Sequence, residues 1–212
     1  GLGDVYKRQV RLTNGSNRLF VATRNGMAIR IDENDVRPMS RSAHGVKAIT
    51  LRKGDAVVSM AREREGASLL TVTENGFGKK TALSEYRMQS RGGMGLTNYK
   101  VDEEHGAVCG IKVVNETDDL MFISSDGVII RVACSEIREM GRTAKGVRVM
   151  RVSEGQKVVA FTRTEASQEE DDAEGAPEGA EQPSAEPESI PVPDAQNASE
   201  TGTEAPADES AE

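Results

Sequence analysis

Apolar and β-branched residues gather in short runs that recur at a fixed interval. Leu19-Phe20-Val21-Ala22-Thr23, Leu69-Leu70-Thr71-Val72-Thr73 and Leu120-Met121-Phe122-Ile123-Ser124 form one set, 50 and 51 residues apart. One residue after each run comes Asn25-Gly26, Asn75-Gly76 or Asp126-Gly127. Such a dipeptide tolerates the positive φ of a type I′ hairpin turn, so each run predicts the first arm of a hairpin. The second arm is expected over Met27 to Ile31 and Val128 to Val132, with a basic residue near its end in every copy: Arg30, Lys80 and Arg131. Alternating segments Val46 to Leu51 and Val147 to Val152 predict a third strand. Ala56 to Met60, Ala107 to Val114 and Lys157 to Thr162 predict a fourth. Helical periodicity is weak throughout, and no helix is expected.

The same register holds for polar residues. Arg37, Arg87 and Arg138 are one column, Arg41, Arg91 and Arg142 a second, and Gly45, Gly95 and Gly146 a third. Four short strands per repeat of about 50 residues describe one propeller blade. The expected architecture is therefore all-β, a β-propeller or its β-pinwheel variant, with about three four-stranded blades over 10–65, 66–117 and 118–164. Small propellers have four or more blades. Three blades, and a chain that does not begin with Met, predict a piece of a longer protein with further blades upstream. Residues 1–9 have no counterpart in the other repeats and are expected to be a leader outside the fold.

Charge divides the chain. Its 212 residues carry 27 Lys and Arg against 35 Asp and Glu, a net charge of -8. Sixteen of those carboxylates, and no Lys or Arg, lie in 165–212, a stretch rich in Ala, Ser, Gly and Pro. Such a segment cannot bury enough apolar surface to offset its ordering entropy and is expected to be a disordered acidic tail. What remains is a body at +8 joined to a tail at -16. No apolar run approaches the ~18 residues that span a bilayer and no secretory signal is visible, so no membrane partner and a cytoplasmic location are expected. Cys109 and Cys134 lack metal-type spacing and read as small apolar residues of strands in a reduced protein. His44 and His105 have no neighbours suggesting a metal or catalytic role, and His44 reads as a loop residue.

The loop between the second and third strands carries the candidate chemistry. Arg37-Pro38-Met39-Ser40-Arg41, Arg87-Met88-Gln89-Ser90-Arg91 and Arg138-Glu139-Met140-Gly141-Arg142 are its three copies. In the middle copy Gln89-Ser90-Arg91-Gly92-Gly93-Met94-Gly95 is the sharpest motif. Its glycines allow close backbone approach, and amide donors with guanidinium forks suit phosphate oxygens. Lys47, Lys145 and Arg148 add charge to the flanking copies. Glycines here can equally serve the turn alone, and the Arg41, Arg91, Arg142 column can equally serve blade packing. Three basic loops in register on a basic body point to phosphate binding along a polyanion. Aromatic residues are only 3% of the chain, with no Trp, which disfavours stacking on single strands. Bent double-stranded DNA fits better.

Glu85-Tyr86-Arg87-Met88-Gln89-Ser90-Arg91-Gly92-Gly93-Met94-Gly95, the preceding Asn75-Gly76-Phe77-Gly78-Lys79-Lys80-Thr81 and the later Met140-Gly141-Arg142-Thr143-Ala144-Lys145-Gly146-Val147 resemble the C-terminal domain of bacterial DNA gyrase A. The resemblance covers residues 10–164. It implies a β-pinwheel of six blades that exchange a strand and wrap DNA. The whole enzyme then introduces negative supercoils using ATP and Mg2+, with gyrase B and a second gyrase A as partners. The family's box is Gln-Arg-Arg-Gly-Gly-Lys-Gly; Gln89, Arg91, Gly92, Gly93 and Gly95 match it, whereas Ser90 and Met94 depart and remove two positive charges. The resemblance thus assigns DNA contact to these five residues, while Arg37, Arg41, Lys47, Arg87, Arg138, Arg142, Lys145 and Arg148 come from the repeat pattern. No catalytic or metal residue and no cofactor is expected within the fragment. Two alternatives stay open: the equivalent domain of topoisomerase IV, and a protein-binding propeller whose arginines serve packing.

Overall fold

The computed structural model describes residues 9–165. The expected leader up to residue 8 and the expected acidic tail from residue 166 lie outside the described residues. Eleven strands follow in order among them: β1 (Arg18–Thr23), β2 (Met27–Asp32) and β3 (Val57–Arg62) in the first repeat; β4 (Ser68–Thr73), β5 (Phe77–Ala82), β6 (Leu96–Thr97) and β7 (Val108–Val114) in the second; β8 (Asp118–Ser124), β9 (Ile129–Ala133), β10 (Val147–Arg148) and β11 (Val158–Glu165) in the third. Each repeat opens with the expected antiparallel hairpin, in register Val21↔Ile29, Leu70↔Lys80 and Phe122↔Ile130. Gly26 and Gly76 hold φ of +82° and +81° at the turns, a conformation in which a side chain is strained. They also face a neighbour: a Cβ on Gly26 would fall 2.0 Å from the Tyr99 carbonyl oxygen, and one on Gly76 2.1 Å from that of Met150.

Those two contacts reveal how the blades are joined. The sheets have the strand orders β3-β1-β2-β6, β10-β5-β4-β7 and β11-β8-β9. β6 of the second repeat completes the first sheet, pairing Ala28 with Leu96, and β10 of the third completes the second, pairing Gly78 with Val147. Each four-stranded blade therefore contains a strand lent by the following repeat, and the last sheet has three strands. Two expectations need correction. Val46 to Leu51 forms no strand, and Val147 to Val152 shortens to two residues. A third strand forms where the edge of a preceding blade is present to pair with it, and no such edge precedes Val46 among the described residues. Short 3-10 turns at Glu33–Asp35, Leu83–Glu85 and Cys134–Glu136 follow the second strand of each repeat.

Alternation along each first strand sends apolar residues to both faces. Phe20, Ala22 and Ala28 of the first blade meet Leu69, Leu83, Tyr86 and Ile111 of the second, with Phe20 and Tyr86 edge to face at 5.3 Å. Leu70, Val72 and Val114 meet Leu120, Phe122 and Ile137 of the third. Fully burying each large apolar side chain contributes about 1.5–3 kcal/mol. The fourth strands also pack in series. Ser59 Oγ on β3 donates to the Ile111 carbonyl on β7 at 3.0 Å, and the Phe161 ring on β11 fills the space that a Cβ on Gly110 would occupy. The sequence edges differ slightly from expectation. Gln9 joins the fold, its side-chain oxygen accepting from the Met60 N–H at 2.6 Å, and β11 runs through Glu165. Cys109 lies in β7, while Cys134 lies in a 3-10 turn rather than a strand; both are free and burial pushes both thiols up to about 11.

Candidate nucleic-acid interface

Each arginine loop of the second and third repeats is laid across the second strand of the blade before it. The crossing begins as a parallel bridge, Arg30 with Met88 and Lys80 with Glu139. The Gln89 N–H donates to the Arg30 carbonyl at 2.9 Å and the Met140 N–H to the Lys80 carbonyl at 2.8 Å. The chain then turns back and pairs as β6 or β10. Gly95 and Gly146 make the return, with φ of +74° and +82°; a Cβ there would lie 2.6 Å from the Ala28 carbonyl oxygen and 2.5 Å from that of Gly78.

This path gives the two arginine columns different surroundings. Arg37, Arg87 and Arg138 are exposed. Their side chains, with those of Arg41 and Lys47, make no hydrogen bond or ion pair among the described residues. Arg91 and Arg142 instead reach back to the preceding blade. Arg91 Nε donates to the Asp35 carbonyl at 2.9 Å. The Arg142 N–H donates to Glu85 Oε2 at 3.0 Å, and its Nη1 to the Thr97 carbonyl at 3.0 Å. Asp35 and Glu85 occupy the same repeat position, but Arg91 uses its side chain on the Asp35 backbone carbonyl whereas Arg142 uses its backbone N–H on the Glu85 carboxylate.

The box-like glycines are engaged with protein. The Gly92 N–H donates to the Ala48 carbonyl at 2.7 Å, and the Gly93 carbonyl accepts from the Thr50 N–H at 2.8 Å. Gly93 has the Gln89 amide oxygen and Ile29 against it. The Gln89 side-chain nitrogen is buried without a partner. The Gly92 amide is thus committed to the fold and is not a free phosphate donor. Lys145 pairs with Asp102 at 2.7 Å, which raises the Lys145 ammonium and, with a hydrogen bond from His105, holds Asp102 well below the usual carboxylate range. His105 is buried, its Nδ1 2.6 Å from Asp102 and its ring 4.2 Å from that of Phe77. Arg148 stacks its guanidinium 4.7 Å from the centre of the Phe77 ring and stays exposed. His44 sits in the exposed loop.

Sequence reasoning missed the cations that hold the loops in place. Arg30 donates to both oxygens of Glu63, at 2.8 Å and 2.5 Å, and to the Leu83 and Tyr86 carbonyls. Lys80 meets Glu116 at 2.5 Å. Lys79 is fully buried, donates to the Gly141 carbonyl at 2.8 Å and to that of Arg142, and lies 5.4 Å from the centre of the Tyr99 ring. Burial pushes its ammonium down to about 8. Tyr86, Asn98 and Thr71 form a buried hydrogen-bonded set beneath the same junction. Arg30, Lys80 and Arg131 were visible as a column, but their partners lie tens of residues away or across a strand pair and leave no local signal. Among the described residues no group of His, Cys, Asp and Glu could hold a metal ion.

Comparison with known families gives the arrangement its place. A family model described as DNA gyrase C-terminal domain, beta-propeller, matches residues 17–62, 67–115 and 118–165, one match per repeat. The chain belongs to this family. DNA gyrase A of Staphylococcus epidermidis is 41% identical over 165 residues, covering 77% of this chain and 18% of that protein. The gyrase A of Staphylococcus aureus strain MRSA252 is 41% identical over 167 residues. The chain therefore spans about a fifth of the length of these relatives, 18% and 19%. Among solved structures, the C-terminal domain of DNA topoisomerase IV superposes with a TM-score of 0.70 and 28% identity, over 74% of this chain and 50% of that one. The DNA gyrase A C-terminal domain superposes with a TM-score of 0.67 and 28% identity, over 70% and 50%. The family fold, with its strand passed between repeats, is the one the sheets display. No helix among the described residues is long and apolar enough to cross a membrane.

Proposed function

We propose that this chain is a DNA-wrapping module of DNA gyrase A, serving negative supercoiling by an enzyme whose chemistry lies elsewhere. The observation that carries the reading is the row Arg37, Arg87 and Arg138, exposed at one repeat position and unpartnered in every copy among the described residues. Such a row neutralises phosphates at intervals without reading bases, which suits duplex DNA bent along successive blades. Lys47 is available on the same terms, and Arg148 is exposed while stacked on Phe77. Gln89, Gly92, Gly93 and Gly95 act by setting the loop's path, and Arg41, Arg91, Arg142 and Lys145 contribute charge from the same loops.

Gyrase B, a second gyrase A, ATP and Mg2+ are assigned to the whole enzyme, at work in the cytoplasm. Identity to gyrase A over most of the chain favours gyrase. The superposition on the topoisomerase IV domain keeps that enzyme as the second reading. Supercoiling assays on the parent enzyme separate the two, since gyrase introduces supercoils and topoisomerase IV relaxes and decatenates. The acidic segment 165–212 is assigned a competing role, its tethered carboxylates opposing DNA on the basic body. Duplex affinity at low salt should rise when that segment is removed; equal affinities leave it a solvating role. Binding that ignores salt would instead favour a protein-binding propeller.

A further inference from the structure

A further group of cations gathers away from the arginine loops. Arg62, Lys112 and Arg163 are spaced 50 and 51 residues apart. They sit on β3, β7 and β11, the fourth strands that pack in series; Arg62 and Arg163 are register counterparts opposite Leu19 and Leu120, whereas on β7 that position is Val113 opposite Leu69, and Lys112 precedes it opposite Leu70. Arg11 and Arg64 join them around one cleft of about 290 Å³, whose remaining wall is Ala61, Val113 and Thr162. Five cations line the cleft and no carboxylate does.

Nearby acceptors neutralise this group only in part. Asp118 receives Arg64 at 2.8 Å and Arg163 at 3.0 Å. Arg62 donates to the Leu12 carbonyl and Arg64 to that of Val113, both at 3.3 Å. Arg11 reaches only the carbonyl of its neighbour Val10. Lys112 has no hydrogen bond or ion pair among the described residues. It is half-buried, and burial together with Arg11 and Arg163 lowers its ammonium. Cations gathered this closely repel one another, and an anion entering among them relieves that repulsion.

We propose that the cleft between β3, β7 and β11 is a binding site for a small multivalent phosphate anion, held by Arg11, Arg62, Lys112 and Arg163. Guanidinium forks match phosphate oxygens bidentately, and Lys112 supplies a point charge in the same cleft. No aromatic side chain lines the cleft, so recognition rests on the phosphates and not on a stacked base. The volume suits a short polyphosphate, and none of Arg37, Arg87 and Arg138 lines the cleft.

Calorimetric titration of the full chain with inorganic tripolyphosphate tests the assignment. One saturable site is expected, weakened about tenfold by Lys112→Gln, which removes one charge-assisted interaction. Arg11→Gln, at an exposed position where folding is not at stake, is expected to weaken it similarly, and Arg87→Glu to leave it unchanged. Absence of saturable binding overturns the proposal, as does binding that follows Arg87→Glu and ignores both cleft variants. Equal displacement of the probe by polyglutamate assigns the cleft to carboxylates and overturns the phosphate assignment.

Discussion

The first and second arginine loops have similar sequences and opposite circumstances. Residues 87–99 lie on the edge of a preceding blade, whereas residues 37–49 have no such edge among the described residues. In the docked loop Leu96 and Thr97 become a strand, Gly95 packs on the Ala28 carbonyl and Arg91 binds Asp35. In the undocked loop Val46 and Lys47 form no strand, a Cβ on Gly45 would meet nothing within 4 Å and Arg41 has no side-chain partner among the described residues. Arg37 and Arg87 are the same in both, exposed and without a side-chain partner among the described residues. The pair is a natural control. A residue whose surroundings change with docking serves the junction, and one whose surroundings do not is available to a ligand.

The largest effect is expected at the strut beneath the docked loop. Arg30→Ala removes both close donors of Glu63, which keeps only Arg18 at 3.6 Å, and takes the side-chain donor from the Tyr86 carbonyl. It should cost about 3–5 kcal/mol in urea unfolding, with DNA affinity per folded molecule retained. A loss below ~1 kcal/mol would mean that the junction does not depend on this pair. The glycine column comes next. Gly95→Ala should cost about 3 kcal/mol, combining the left-handed backbone with a clash on the Ala28 carbonyl, whereas Gly45→Ala should cost about 1 kcal/mol for the backbone alone. Equal losses would erase the distinction between the two loops. Smaller again, Arg91→Ala should lower stability by about 1 kcal/mol and Arg41→Ala by less than ~0.5 kcal/mol.

Lys79 gives a pH signature of the junction between the second and third blades. Its folded-state ammonium titrates at about 8, below the ordinary lysine range, so the unfolded chain binds more protons between those values. Stability relative to Lys79→Met should therefore rise as pH increases from about 8 to about 10 and stay level below that window. Thermal unfolding of the two proteins across this range measures it, and parallel curves would show that the buried ammonium does not set the junction's stability.

The hairpins were legible because their cause is local. An Asn-Gly or Asp-Gly turn and two flanking apolar runs specify them, and the 50-residue interval multiplies the signal. The third strand was legible only as a tendency. Val46 to Leu51 alternates as well as Val147 to Val152 does, yet pairing belongs to a partner strand that neither segment contains. Charge followed the same division. Columns of arginine were plain, but Arg91 and Arg142 differ from Arg87 and Arg138 through Asp35, Glu85 and Thr97, 45 to 57 residues away. The cleft cations left no such signal, because they fall in strands rather than in a glycine-bearing loop and Lys112 lies one position out of register with Arg62 and Arg163.

The proposed wrapping role requires that Arg37, Arg87 and Arg138 meet phosphate. That requirement is tested most directly by the salt dependence of duplex DNA affinity, measured for this chain and for its Arg37→Glu, Arg87→Glu, Arg138→Glu triple variant. A steep fall of log affinity with log salt is predicted. The variant's slope should be shallower by about 0.9 for each phosphate that the three arginines neutralise, with its unfolding midpoint unchanged. Identical slopes in the two proteins would contradict the account.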